Sequence, residues 1–135
     1  MLKVMIVDDS LSFRELFKAE LSSRFPSIKV IDVGNGGEAL KYLALYPIDL
    51  IFIDIRLPGE NGLELTKKIK AGYKDGTIAI LTIYDSQEYR KAAIQSGASY
   101  FIPKDSLSFG EIAKIIKCIQ EAKDSSFEGG SSSPL

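Results

Sequence analysis

The sequence predicts an α/β fold: a doubly wound sheet of five parallel strands covered on both faces by five helices. Three observations carry this. Apolar runs of strand length alternate with segments of helical period along most of the chain. Two runs, Lys3–Val7 and Asp49–Asp54, are apolar throughout except at their charged ends, the pattern of strands buried on both faces. Pro26, Pro47, Pro58 and Gly97 fall between the segments, where chain breakers belong.

Element by element, Lys3–Val7 is the first strand. Ser12–Ser22 places Phe13, Leu16, Phe17 and Leu21 at helical spacing, with Ser10 or Ser12 available as its cap. Phe25-Pro26-Ser27 ends that helix, and Ile28–Val33 is a strand of mixed pattern, as at a sheet edge. Gly34-Asn35-Gly36-Gly37 reads as a turn, Glu38–Tyr46 as a short helix closed by Pro47. Asp49–Asp54 is the next strand, and Leu57–Gly62 a loop. Leu63–Ala71 is a helix stopped by Gly72, and Ile78–Thr82 a strand. Ser86–Ser96 is a helix with Asp85 or Ser86 as cap and Gly97 as its C′ residue. Ser99–Ile102 is the last strand. Ser108–Ala122 sets Ile112, Ile115, Ile116 and Ile119 on one stripe, with Cys118 beside it and read as structural. One domain over residues 1–123 is expected, followed by a polar, Gly/Ser-rich tail over 124–135 that reads as a disordered linker.

Composition removes several chemistries. With no histidine, Ser-His-Asp and Cys-His catalysis are impossible within this chain, as is His-ligated zinc. A single cysteine rules out an internal disulfide and fits a reducing cytoplasm. A net charge of −1 gives no basic footprint for nucleic acid. No run is long enough to span a membrane. Hard-oxygen chemistry of the Mg²⁺ type remains.

The charged residues at strand ends point the same way. Asp8 and Asp9 follow the first strand, Asp54 ends the third, and Lys104 follows the fifth. Ligands of open parallel sheets bind beyond the carboxyl ends of the strands. Carboxylates gathered there repel one another and call for a cation. Mg²⁺ readily takes one or two carboxylates together with phosphate oxygens. A carboxylate can itself attack phosphorus to form an acyl phosphate. Lys104 offers a point charge to a phosphate oxygen, and Thr82 a hydroxyl.

Val-Asp-Asp-Ser (7–10), Leu-Ile-Phe-Ile-Asp-Ile-Arg-Leu-Pro-Gly (50–59), Asn-Gly-Leu-Glu-Leu (61–65), Ile-Leu-Thr (80–82) and Ser-Gly-Ala-Ser-Tyr-Phe-Ile-Pro-Lys (96–104) occur in order. In these pieces the chain resembles a response-regulator receiver domain of two-component signalling, over about residues 2–122. The resemblance implies a flavodoxin-like sheet in the order 2-1-3-4-5. It implies Asp54 as phosphoacceptor, with Thr82 and Lys104 acting on the phosphoryl group. It implies Mg²⁺ ligation by Asp9, Asp54 and the backbone carbonyl of Arg56, with Asp8 acting through water. Thr82 and Phe101 occupy the switch positions. The donor would be a phosphohistidine on a sensor histidine kinase. The output would be a protein contact, a homodimer or an attached output domain, reached through the face of the fourth helix, fifth strand and fifth helix. That output includes DNA-binding transcription regulation in a longer protein. No turnover of an external substrate is expected.

Three positions depart from the pattern. Ile83 stands where a small residue is usual and narrows access to the phosphate. Phe101 replaces the commoner tyrosine. Asp105 follows Lys104 where a proline, commonly cis, is frequent; a cis bond before Asp105 would cost about 3 kcal/mol, and the sequence leaves the conformation of that bond open. Three other readings have distinct signatures. A degenerate receiver would signal by contacts alone, without phosphorylation. An FMN binder of the same fold would want a Ser/Thr-rich loop after the first strand. A haloacid-dehalogenase-type phosphatase would want an aspartate two residues after Asp54, where Arg56 stands.

Overall fold

The computed structural model describes residues 1–73 and 75–132, with side chains to Asp124. Five strands, β1 (Leu2–Val7), β2 (Ile28–Val33), β3 (Leu50–Ile53), β4 (Thr77–Thr82) and β5 (Tyr100–Pro103), form one parallel sheet in the order β2-β1-β3-β4-β5. Five helices, α1 (Leu11–Arg24), α2 (Gly36–Leu45), α3 (Gly62–Gly72), α4 (Gln87–Ser96) and α5 (Phe109–Ser132), connect and flank them. The expected fold class and strand order are therefore observed.

The apolar strands build two cores at once. Val4, Ile6, Leu50, Phe52, Ala79 and Leu81 face α1 and α5, meeting Phe17, Leu21, Ile112 and Ile116. Their neighbours Met5, Val7, Ile51, Ile53, Ile78 and Ile80 face the other way, meeting Ala39, Leu65, Ile69 and Ala93 of α2, α3 and α4. Successive strand side chains point to opposite faces, so burial of both requires an unbroken apolar run. The edge strands β2 and β5 are only partly buried, which explains the mixed pattern of β2.

Local chemistry sets the helix starts. Ser10, Asn35, Asn61 and Ser86 are N-caps whose side chains accept from the backbone N–H of Phe13, Glu38, Glu64 and Tyr89. Gly97 ends α4 in the left-handed region, φ 112°. Asn35 capping begins α2 at Gly36, so the expected four-residue turn is shorter and Gly36-Gly37 are helical. A single 3₁₀ turn, Lys104–Ser106, follows β5 and was not anticipated. The Lys104–Asp105 bond is trans. Tyr73 pins the end of α3 to the start of β3: its hydroxyl accepts from Ile48 N–H and donates to Ile48 C=O, each at 2.8 Å.

The chain end differs from expectation. α5 runs to Ser132 rather than stopping near Ala122. The disordered tail expected over 124–135 falls almost wholly on residues whose side chains, or at 133–135 whose backbone, lie outside those described. Cys118 is exposed rather than structural; it borders a groove of about 490 Å³ with Tyr100, Ile119 and Lys123. Among the described residues, no helix is long and apolar enough to cross a membrane.

Candidate functional site

Sheet order brings the acidic residues together. β1 and β3 are neighbours in register, Val7 beside Ile53, so Asp8 and Asp54 leave the sheet side by side. Asp54 N–H donates to Val7 C=O at 3.0 Å and Asp8 N–H to Val33 C=O at 3.2 Å, extending the ladder to the site's edge. One carboxylate oxygen each from Asp8, Asp9 and Asp54 lie within 4.8 Å of one another. Asp8 and Asp54 are buried, at 2% and 7% exposure, and Asp9 is exposed.

Lys104 reaches them from β5, two strands from β3 and so roughly 10 Å away along the sheet. Only a long side chain closes that gap. Its Nζ donates to Asp8 Oδ2 at 2.7 Å and to Asp54 Oδ2 at 3.2 Å. The other oxygens are also held: Asp8 Oδ1 by Ser10 N–H at 2.8 Å, Asp54 Oδ1 by Ile55 N–H at 2.7 Å. These groups line a cleft of about 620 Å³ with Asp9, Arg56, Leu57, Pro58, Ile83 and Tyr84.

The electrostatics follow from burial and crowding. Burial pushes the Asp8 carboxyl above its ordinary value, helped by the charge of Asp54 and opposed by Lys104 and Ser10 N–H. Burial alone would lower Lys104, but the hydrogen bonds and charges of Asp8 and Asp54 outweigh it and hold the ammonium above its ordinary value. A simple ion pair would depress its carboxylate; Asp8 instead rises because desolvation wins there, while Lys104 stays charged. Three carboxylates against the Lys104 ammonium and the Arg56 guanidinium leave the cleft short of positive charge. The donor set is all oxygen, partly buried and open on the Asp9 side, which fits Mg²⁺.

The other expected site residues are placed differently. Arg56 lines the cleft, its guanidinium 4.6 Å above the Tyr84 ring. Ile83 is exposed and lines the cleft. Thr82 is fully buried, and its hydroxyl accepts from Tyr84 N–H at 3.2 Å rather than meeting Asp54 or Lys104. Phe101 is half-buried against the α2/α3/α4 core, with the Arg90 guanidinium 4.9 Å above its ring.

Several supporting residues were missed from sequence. Arg14 donates to the Asp8 carbonyl at 2.6 Å and to Asp32 at 2.8 Å, tying α1 to the site. Gly62 lies so close to Asp54 that an added Cβ would collide with the Asp54 carbonyl oxygen. Phe13 lies under Lys104, 4.0 Å from Nζ to ring centroid. A glycine opening a helix behind a loop of breakers was a readable signal for Gly62; the other two had none beyond helical position.

A sheet of this order with paired carboxylates and a lysine at the carboxyl ends defines a doubly wound α/β protein with an acidic oxygen-ligand cleft. Residues 4–117 match the response regulator receiver domain family, and the chain belongs to that family, the receivers of two-component systems. It is 31% identical over 105 residues to the cyclic di-GMP phosphodiesterase response regulator RpfG of Xanthomonas campestris pv. campestris, covering 76% of this chain and 28% of RpfG. It is 32% identical over 105 residues to the transcriptional regulatory protein DegU of Brevibacillus brevis, covering 77% of this chain and 44% of DegU. Among solved structures, the response regulator TrrA of Thermotoga maritima in complex with Mg(2+)-BeF superimposes with a TM-score of 0.76 at 34% identity, covering 88% of this chain and 99% of TrrA. A CheY-like receiver domain protein of Methanospirillum hungatei JF-1 gives a TM-score of 0.81 at 25% identity, covering 93% and 98%. The chain spans less than half the length of RpfG and of DegU.

Proposed function

We propose that this chain is a phosphorylation-activated switch in which Asp54 accepts a phosphoryl group from a phosphohistidine of a sensor histidine kinase. The observation that carries this is the Lys104 ammonium bridging Asp8 and Asp54 at the floor of an open cleft, with Asp9 alongside. An ionised carboxylate needs no general base. One Asp54 oxygen bonds to phosphorus, the P–N bond of the donor breaks, and the electron pair returns to the imidazole. Mg²⁺, held by Asp9, Asp54 and the Arg56 carbonyl, with Asp8 through water, would neutralise charge on the phosphoryl oxygens. Lys104 exchanges part of its carboxylate contact for a phosphoryl oxygen. The chain binds and loses its own phosphoryl group and turns over no other substrate, in a cytoplasmic setting.

The signal passes through Thr82. Its hydroxyl is engaged by Tyr84 N–H, so turning it toward the phosphoryl group releases the β4–α4 loop. Space vacated by Thr82 admits Phe101, which lies one strand away on β5. The face of α4, β5 and α5 then changes shape and serves as the contact surface. Shifting such a switch from mostly off to mostly on takes about 5.5 kcal/mol of differential interaction. Two charge-assisted contacts at ~1.5–3 kcal/mol each supply most of that. The output is a partner protein, a second copy, or an output domain of a longer protein. DNA-binding regulation is one such output, in keeping with the regulatory names of relatives such as DegU.

Intact mass after incubation with Mg²⁺ and acetyl phosphate tests the reading. One added phosphoryl group is expected in the wild type, Mg²⁺-dependent and absent in Asp54→Asn. No adduct and no Mg²⁺ binding would leave a degenerate receiver that acts through contacts alone.

A further inference from the structure

An ammonium has three N–H donors and no acceptor. Lys104 directs donors at Asp8 and Asp54, and another side of its Nζ faces the Phe13 ring, 4.0 Å from the centroid. The face of an aromatic ring carries negative potential and attracts a cation. Unlike a further carboxylate, it does so without adding charge to an already acidic cleft. The ring is itself firmly set. Phe13 stacks on Phe17 at 5.3 Å and 24°. Phe17, buried, packs edge-on at 5.2 Å against Phe52 of β3, the strand that delivers Asp54. Ring, ammonium and phosphoacceptor are thus referenced to one strand.

We infer that Phe13 is a positioning residue for phosphoryl transfer, its ring face holding the Lys104 ammonium in the cleft while Asp54 is converted to its acyl phosphate. The inference rests on Asp54 being the phosphoacceptor. With acetyl phosphate as donor, a bond forms between an Asp54 carboxylate oxygen and phosphorus. The P–O bond to the acetyl group breaks, and acetate leaves with the electron pair. Asp54 loses its carboxylate charge, and negative charge reappears on phosphoryl oxygens farther into the cleft. Lys104 must trade one partner for the other. Held by Asp8 alone, the ammonium would pivot about a single contact. Held by Asp8 and a fixed ring face, it makes a short displacement along the cleft. Apolar packing does not require the ring: leucine, already used on α1 at Leu21, would fill the same stripe.

The test replaces Phe13 by 4-fluorophenylalanine, by pentafluorophenylalanine and, separately, by leucine (Phe13→Leu). Fluorine drains the ring face of electron density with little change in shape, so the two fluorinated chains keep the fold if leucine loosens it. Three quantities are read: the rate of Asp54 phosphorylation by acetyl phosphate with Mg²⁺, the melting temperature, and the NMR shifts of the Lys104 ε-methylene protons in metal-free protein. The rate is expected to fall stepwise with fluorine content, by about 2- to 30-fold overall, the range one cation–π contact carries. Melting temperature should stay level across the fluorinated pair. The ε-methylene protons, shielded by the ring in the wild type, should move downfield in Phe13→Leu. Wild-type rates in both fluorinated chains, or unmoved Lys104 signals in Phe13→Leu, overturn the inference while leaving the phosphoacceptor reading intact. A wild type that gains no phosphoryl group overturns that reading, and this one with it.

Discussion

Asp8 is the residue most at odds with its surroundings. It is buried beside Asp54, and burial together with that neighbouring charge outweighs its bond to Lys104, so its ionised form is costly in the metal-free protein. Asp8→Asn is therefore expected to stabilise the metal-free protein by about 1 kcal/mol, the usual size of a single substitution's effect, because it removes a charge that burial disfavours. The advantage should shrink when Mg²⁺ is added, because the wild type then gains a ligand that the variant holds less well. Melting curves with EDTA and with Mg²⁺ check both. Asp8, Asp54 and Lys104 were legible in sequence because strand ends in a parallel sheet converge on one edge, so position along the chain predicts position in space. Phe13 was not. It reads as one apolar residue in a helical stripe, and its contact with Lys104 depends on where the long lysine side chain ends beyond the sheet's carboxyl edge, which no local pattern encodes. The Thr82 hydroxyl was placed by type alone; its bond to Tyr84 N–H depends on loop geometry.

Among the elements, α3 and α1 are fixed to the site by different means. α3 begins hard against the backbone of Asp54, with Gly62 N–H donating to Ile55 C=O at 2.6 Å. Gly62→Ala would set a methyl group against the Asp54 carbonyl oxygen and the Ile53 side chain. A loss of about 1–3 kcal/mol in urea unfolding is expected, together with slower phosphorylation, since relief of the clash moves Asp54. α1 is held through Asp32 of β2, which takes Arg14 at 2.8 Å and Lys18 at 3.3 Å. Burial alone would raise the Asp32 carboxyl, but the two cations outweigh it and hold it below its ordinary value of 3.8. A depressed carboxyl stabilises the fold above its unfolded value and loses that contribution as pH falls through its folded value. Asp32→Asn should therefore cost about 1 kcal/mol at pH 7, a deficit that narrows as pH drops below 3.8; melting curves from pH 7 to 2.5 measure it. Element types were readable throughout, because strand and helix periods differ. Element ends were less so. The start of α2 moved into Gly36-Gly37 once Asn35 served as cap, and the 3₁₀ turn after β5 has no apolar period to betray it.

At the scale of the molecule, the order β2-β1-β3-β4-β5 sets β4 and β5, joined by α4, at one edge of the sheet and β2, which leads into α2, at the other. Thr82 and Phe101 belong to the side of α4. Phosphorylation should then perturb amide signals of β4, α4 and β5 strongly and those of α2 weakly. Asp54→Asn should show neither change under the same conditions. ¹⁵N correlation spectra before and after acetyl phosphate decide it, and uniform or absent shifts would count against a directed switch.

The solvent-facing position of Cys118 has a practical consequence. It is the sole thiol of the chain and borders Tyr100 of β5 along α5. A maleimide dye would attach at one known point without any substitution. Its fluorescence anisotropy would then report, in real time, whether another molecule settles on that flank when phosphodonor is supplied.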